Sequence, residues 1–225
     1  MPEYQWDFAT ILQYRELLIA GALTTLRILV FSVSLGIGVG LLLAPLRTAR
    51  PRWLRWPAQA FIEVIRAVPP LVLVVWAYYC LPILTGMKLS AYWTCVIALG
   101  LYGSVFFAEI FRSGLQSVDH GLVEAALSVG MTPLKALLRI SAPIAFLRIL
   151  PAFVGQCVMA VKNSVLGSYI AVGELLYEGQ RLSTATFRPL EVLTLVALFF
   201  IVTILPLSLL AGHAERRIQQ RYFKR

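Results

Sequence analysis

The chain has 225 residues, of which 59% are hydrophobic and only 14% charged, and its formal charge is +9. Soluble domains carry about a quarter charged residues, so this balance excludes a water-soluble enzyme and leaves no room for a separate soluble domain. One membrane domain over residues 1–225 is predicted. The cations cluster beside apolar runs, as membrane topology requires, so no nucleic-acid partner is expected.

In chain order, the opening carries Glu3, Asp7 and Glu16 among aromatics and lacks a basic stretch before the first apolar run. No cleavable signal peptide is expected, and the first span is predicted to double as an uncleaved insertion signal. Five runs are long enough to cross roughly 30 Å of hydrocarbon: 17–46, 57–84, 91–115, 144–170 and 190–212. Each is predicted to be a helix, because backbone polar groups in lipid must be satisfied internally. In the first, Gly36, Gly38 and Gly40 either admit a close neighbouring helix or belong to ordinary span packing. The loop after it, "RTARPRWLRW", holds Arg47, Arg50, Arg52 and Arg55 with no acid, and Trp53 and Trp56 read as interface-belt residues.

In the second span, Pro69-Pro70 predicts a kink, and Glu63 and Arg66 stand three apart on one helix face. Glu109 and Arg112 repeat that spacing in the third. Both are predicted to be structural ion pairs. Cys80, Cys95 and Cys157 lie inside spans and read as small apolar residues; with His120 and His213 far apart, no metal site is expected. In the fourth span, Arg148 reads as an anchor near its start. Lys162 and Asn163 fall within it, where a lysine must face a polar interior or snorkel outward. Only Lys88 lies in the loop after span two, whereas the tail "ERRIQQRYFKR" is strongly basic. The positive-inside rule then predicts the N-terminus outside, the C-terminus in the cytoplasm, and the loop between spans three and four in the cytoplasm.

That loop, "GLVEAALSVGMTPLKALLRISAPIAF" (121–146), is not a minimal turn. Leu122, Ala125, Ala126 and Val129 recur at helical spacing, and Gly130 falls where a helix ends. Thr132 and Pro133 read as the N-cap and first residue of a second helix through Leu134, Leu137, Leu138 and Ile140. Periodicity alone leaves two readings open: a ligand for a groove on a partner, or an amphipathic helix resting on headgroups.

The spacing Glu124-Ala125-Ala126, Gly130, Ile140, Pro143 resembles the EAA loop of ATP-binding-cassette importer permeases. Ala142 stands where that pattern has leucine. Residues 61–82, 108–121, 150–166 and 173–180 are similar to the polar-amino-acid branch, which includes permeases for histidine, glutamine, arginine and opines. Asn163 in Lys162-Asn163-Ser164-Val165-Leu166 replaces the aspartate common in that branch.

The resemblance implies an all-α integral membrane protein of the type I importer permease fold. It implies a non-enzymatic, multi-pass transport subunit of a bacterial inner membrane, with a coupling loop at about 117–143. Its partners would be a cytoplasmic ATPase dimer, a second permease subunit (identical or homologous) and an extracytoplasmic solute-binding protein. No phosphate-binding "GxxxxGK[ST]" occurs in the chain, so no cofactor is expected here, ATP and Mg belonging to the partner ATPase. The resemblance assigns Glu124, Ala125, Ala126, Gly130, Ile140 and Pro143 to ATPase coupling, while Lys162, Asn163 and Ser164 are candidates for the translocation path. Alternatives are a permease for opines or sulfur amino acids, or an ATPase-independent channel or ion-coupled carrier.

Overall fold

The computed structural model describes residues 4–222, with side chains through residue 213; Glu3 and the basic side chains of the tail, used above for topology, lie outside the described set. All regular elements among the described residues are helical. Helix α1 (Phe8–Leu12) is capped by Asp7, whose side chain accepts from Thr10 N–H. Helix α2 (Arg15–Arg47) has 33 residues, about 50 Å at 1.5 Å per residue.

The expected second span does not merely kink at its prolines. It stops as α3 (Arg52–Ala67) and restarts as α4 (Pro70–Tyr79). Pro69 holds an extended ψ of 138°, because a residue before proline is sterically driven out of the α region. Neither piece reaches the ~20 residues needed to cross hydrocarbon alone. Helix α5 (Leu81–Thr85) closes on Gly86, and α6 (Ala91–Gln116) is unbroken.

Helix α7 (His120–Ser128) precedes α8 (Pro133–Ala136), a single π turn (Leu137–Ser141), α9 (Ala142–Asn163) and a 3₁₀ turn (Ser164–Ile170). The fourth span was expected to begin near residue 144, yet the helical run already begins at Pro133 and continues to Ile170. Helices α10 (Leu175–Thr186) and α11 (Pro189–Tyr222) are the last elements among the described residues. Among the described residues, four helical runs are long and apolar enough to span a membrane, or five if α3 and α4 count as one.

The helices divide into two compact units. The first comprises Met1–Ser34, Val68–Gly100 and Met159–Pro206. Its core is built on Ile28, Val74, Cys95, Leu99, Ile170 and Val172. A buried carboxylate ties α10 to α2. Glu174 is fully buried and accepts from Leu176 N–H (2.9 Å) and Tyr177 N–H (2.8 Å), while Leu175 N–H donates to the Thr25 hydroxyl at 3.1 Å. Helix α2 approaches closely there: a Cβ on Gly21 would lie 3.0 Å from Leu175 Cα.

The second unit comprises Leu35–Ala67, Leu101–Val158 and Leu207–Arg225. Its core is Ile62, Val105 and Ala108, packed by Leu43, Phe61, Ile65 and Phe106. Of the glycine run in α2, Gly40 lies against α6. A Cβ there would sit 2.8 Å from Phe107 Cβ and 3.0 Å from Ala108 N and Ser104 O. Gly38 faces open space, so the close-approach reading holds for Gly40 and not for Gly38.

Two outcomes are expected. Gly40→Val should destabilise the chain by about 1–3 kcal/mol through overpacking, lowering the apparent unfolding temperature in detergent, whereas Gly38→Val should not. Burial pushes the Glu174 carboxyl from 4.5 up to about 7, against the hydrogen bonds that favour its charge. Between those two values the folded state holds a proton that the unfolded state has released. Stability should therefore fall as pH rises through that window, and Glu174→Gln should flatten the profile of unfolding temperature against pH.

Candidate functional site

The loop from α6 to α9 folds as the spacing predicts: helix, glycine turn, helix. Asp119 caps α7 by accepting from Gly121 N–H at 2.8 Å. At the other end, Gly130 N–H donates to Leu127 O (3.0 Å) and Met131 N–H to Ala126 O (3.1 Å). This paired closure is the Schellman motif, and it requires a left-handed residue at the turn. Gly130 supplies it with φ +82°. Nothing lies within 4 Å of where its Cβ would be, so glycine is needed for backbone conformation and not for space. Thr132 then caps α8 by accepting from Lys135 N–H, with Pro133 at the first helical position.

The π turn joins this helix to the span. Ala142 N–H reaches the Leu137 carbonyl, one residue further back than in an α-helix. Pro143 has no N–H to return to Arg139, and the widened turn lies immediately ahead of it. Pro143 thus marks an adjustment inside a continuing helix, where the sequence suggested a boundary.

The loop's apolar residues divide into two sets. Ala126, Ala136 and Ala145 are buried. Ala126, which the resemblance assigns to ATPase coupling, is buried at 4% exposure. Leu122, Leu127, Val129, Leu134 and Leu138 are exposed, Val129 at 77% and Leu134 at 64%. Glu124 and Ala125 are exposed beside them, Ile140 is half-buried and Pro143 exposed.

A charged cluster braces the chain next to this loop. Arg47, in the last turn of α2, pairs with Glu109 on α6 and lies 3.6 Å from Glu63 on α3. Arg112 pairs with Glu109 as expected and donates to Gln116. The expected Glu63–Arg66 pair does not form. Arg47 takes the glutamate, and the Arg66 guanidinium lies over the Phe106 ring at 5.8 Å, a favourable placement for a flat cation. Beyond its place in the basic loop after the first span, Arg47 neutralises acids from two helices. Arg148 anchors the start of α9 by donating to the Ser117 carbonyl.

The other candidates lie in the first unit. Lys162 is exposed in the last turn of α9, Asn163 is half-buried, and Ser164 is fully buried with its hydroxyl bonded to Val161 O. Ser164 is therefore committed to its own helix. The sequence reading did not single out Glu174 or Glu191, which are both fully buried. Each sits at a helix start, Glu174 as the N-cap of α10 and Glu191 in the first turn of α11. An acid at that position is the signal that would have found them.

Fold and loop together define a multi-pass helical membrane protein with a structured loop between two spans. The model of the binding-protein-dependent transport system inner membrane component family matches residues 36–220, and the chain belongs to that family. It is 34% identical over 184 residues to a probable glutamine ABC transporter permease protein of Bacillus subtilis strain 168, covering 82% of this chain and 85% of that one. It is 36% identical over 183 residues to an octopine transport system permease protein of Rhizobium meliloti, covering 78% and 75%. Among solved structures, an amino acid ABC transporter with histidines matches with a TM-score of 0.85 at 32% identity, covering 95% of this chain and all of that one.

Gly130→Val should destabilise the turn by roughly 1–2 kcal/mol, because a β-branched residue resists left-handed backbone. Limited proteolysis within 126–134 should quicken in that variant. Gly130→Asn, which tolerates the conformation, should cleave at close to the wild-type rate.

Proposed function

We propose that this chain is the membrane-spanning subunit of an ATP-driven importer for polar amino acids or closely related compounds. The observation that carries the reading is the exposed apolar crest on a rigidly capped helix–turn–helix, in a chain whose relatives are named as amino-acid and opine permeases. Large apolar side chains presented together on a folded loop mark a partner surface.

The N-terminus lies outside and this loop in the cytoplasm of a bacterial inner membrane, as the clustered arginines after the first span require. A cytoplasmic ATPase dimer grips the crest. Glu124 makes a charged or polar contact at its rim, Ala125 allows close approach, and Ala126 seats α7 from behind. Gly130 keeps the bend, and the helix from Pro133 through Ile140 and Pro143 carries the movement directly into α9. The braced cluster of Arg47, Glu63, Glu109 and Arg112 makes the neighbouring helix ends move together. ATP binding in the partner, with its Mg, closes the ATPase dimer and swings the spans from inward-open to outward-open. Because coupling is a free energy, a loaded extracytoplasmic binding protein accelerates ATP hydrolysis in return. A second permease subunit completes the pore, and Lys162 with Asn163 faces the path that both subunits line.

Uptake and ATP hydrolysis measured in the same proteoliposomes test this reading. With Leu134 and Leu138 both replaced by serine, insertion should be normal, while uptake falls at least about tenfold for a loss of ~1.4 kcal/mol or more of coupling. Lys162→Ala should lower uptake with the ATPase still assembled. Full uptake in the double serine variant would remove the loop from coupling, and unchanged uptake and hydrolysis in Lys162→Ala would remove that residue from the path.

A further inference from the structure

At the end of the first unit where α2 and α11 begin, the segment before α1 is held by a carboxylate. Glu191 is fully buried and accepts from Tyr4 Oη (2.5 Å), Asp7 N–H (3.0 Å) and Arg188 (3.1 Å). Arg188 also donates to the Gln5 carbonyl and lies 3.6 Å from Asp7. Ile11 anchors the same segment from below, buried against Leu182 and Val192. The segment is therefore fixed in place, and what it turns outward is aromatic. Trp6 stacks on Phe8 at 5.5 Å and meets Tyr4 edge-on at 5.6 Å. Trp6 remains 56% exposed. Next to Arg188, Phe187 takes a left-handed φ of 55° and leaves its ring 87% exposed.

Beside this segment runs an apolar groove of about 220 Å³ whose lining includes Leu12, Leu18, Ile19, Leu195 and Phe199. Its one charged lining group is Arg15, in the first turn of α2. Glu16 follows it, but neighbours one apart on a helix face different ways, and Glu16 does not line the groove. The groove continues the exposed apolar surface of the two spans that start here, at Leu23 and Leu26 on α2 and at Leu198 and Ile201 on α11.

We propose that this end of the first unit is a binding site for a single phospholipid: the groove takes an acyl chain, Arg15 meets the headgroup phosphate, and the aromatic segment held by Glu191 lies at headgroup depth. Three features favour lipid over a protein partner. Tryptophan and tyrosine prefer the membrane–water boundary, where an apolar ring and a polar tip are both satisfied. The groove is apolar along its length and cationic where α2 begins, matching the two ends of a phospholipid. Its walls are also the starting turns of two membrane spans, which sets it at the depth where chains meet headgroups.

The test uses the permease assembled with its ATPase in nanodiscs. Trp6 emission is obtained as wild type minus Trp6→Phe, which leaves Trp53, Trp56, Trp76 and Trp93 unchanged. Phosphatidylglycerol brominated near the glycerol end of its chains should quench most of that emission, and the same lipid brominated near the methyl end should quench less. Acrylamide should quench little. Glu191→Gln should raise acrylamide quenching and lower that by bromolipid. Native mass spectrometry of the complex should show one phospholipid fewer in Ala22→Trp, which fills the groove, and in Arg15→Gln. Acrylamide quenching without bromolipid quenching would overturn the proposal, as would an unchanged lipid count in both groove variants. Shielding of Trp6 that arises only when a solute-binding protein is added would overturn it in favour of a protein contact.

Discussion

Hydrocarbon supplies no hydrogen bonds, so each place where this chain leaves the plain α-helix must be repaired by a group of its own. The departures observed are few. Pro69 and Pro70 end one helix and start another, with proline at the first turn where an N–H is not required. The π turn at Leu137–Ser141 closes on the Leu137 carbonyl just ahead of Pro143, the residue with no N–H to give. Buried Glu174 satisfies the open N–H groups of α10, and Glu191 collects three donors at the start of α11. Buried acids in an apolar chain are costly, and both are placed where free donors at a helix start need an acceptor.

The same constraint explains why the loop after α6 is the candidate for work done on a partner. A stretch whose helices are capped at both ends and closed by a Schellman turn is folded in its own right. It buries Ala126 and Ala136 and exposes its large apolar side chains, the reverse of what a loop resting in water would choose. Its second helix has no break before α9, so displacement of the loop is displacement of a span. Arg47, shared between Glu109 and Glu63, adds stiffness where the neighbouring helices end.

Much of this was legible in the residues. Apolar run length located the spans, because crossing hydrocarbon demands both length and composition. Gly130, Thr132 and Pro133 announced the turn and the second helix, because each has a local backbone reason to be there. Less was legible where the outcome depends on a distant partner. Glu63 and Arg66 have the spacing of a pair, yet Arg47, sixteen residues earlier in sequence, takes the glutamate and Phe106 takes the arginine. Ala126 looked like a contact residue, and helical spacing alone cannot tell which side of an apolar helix faces its own fold. The roles of Thr25 with Glu174, and of Tyr4 with Glu191, join residues about 150 and 187 positions apart, beyond the reach of any local pattern. Gly40 and Gly38 are equivalent by composition and differ only in which faces α6.

On the function proposed above, force from a nucleotide-driven partner enters the membrane domain through the capped helix–turn–helix. The most direct measurement places a photocrosslinking residue at Leu134, on the exposed crest, in the chain assembled with its ATPase in bilayers. The predicted result is a crosslink to the ATPase whose yield changes between the nucleotide-free and ATP-bound states. A crosslink to lipid, or an ATPase crosslink indifferent to nucleotide, would contradict it.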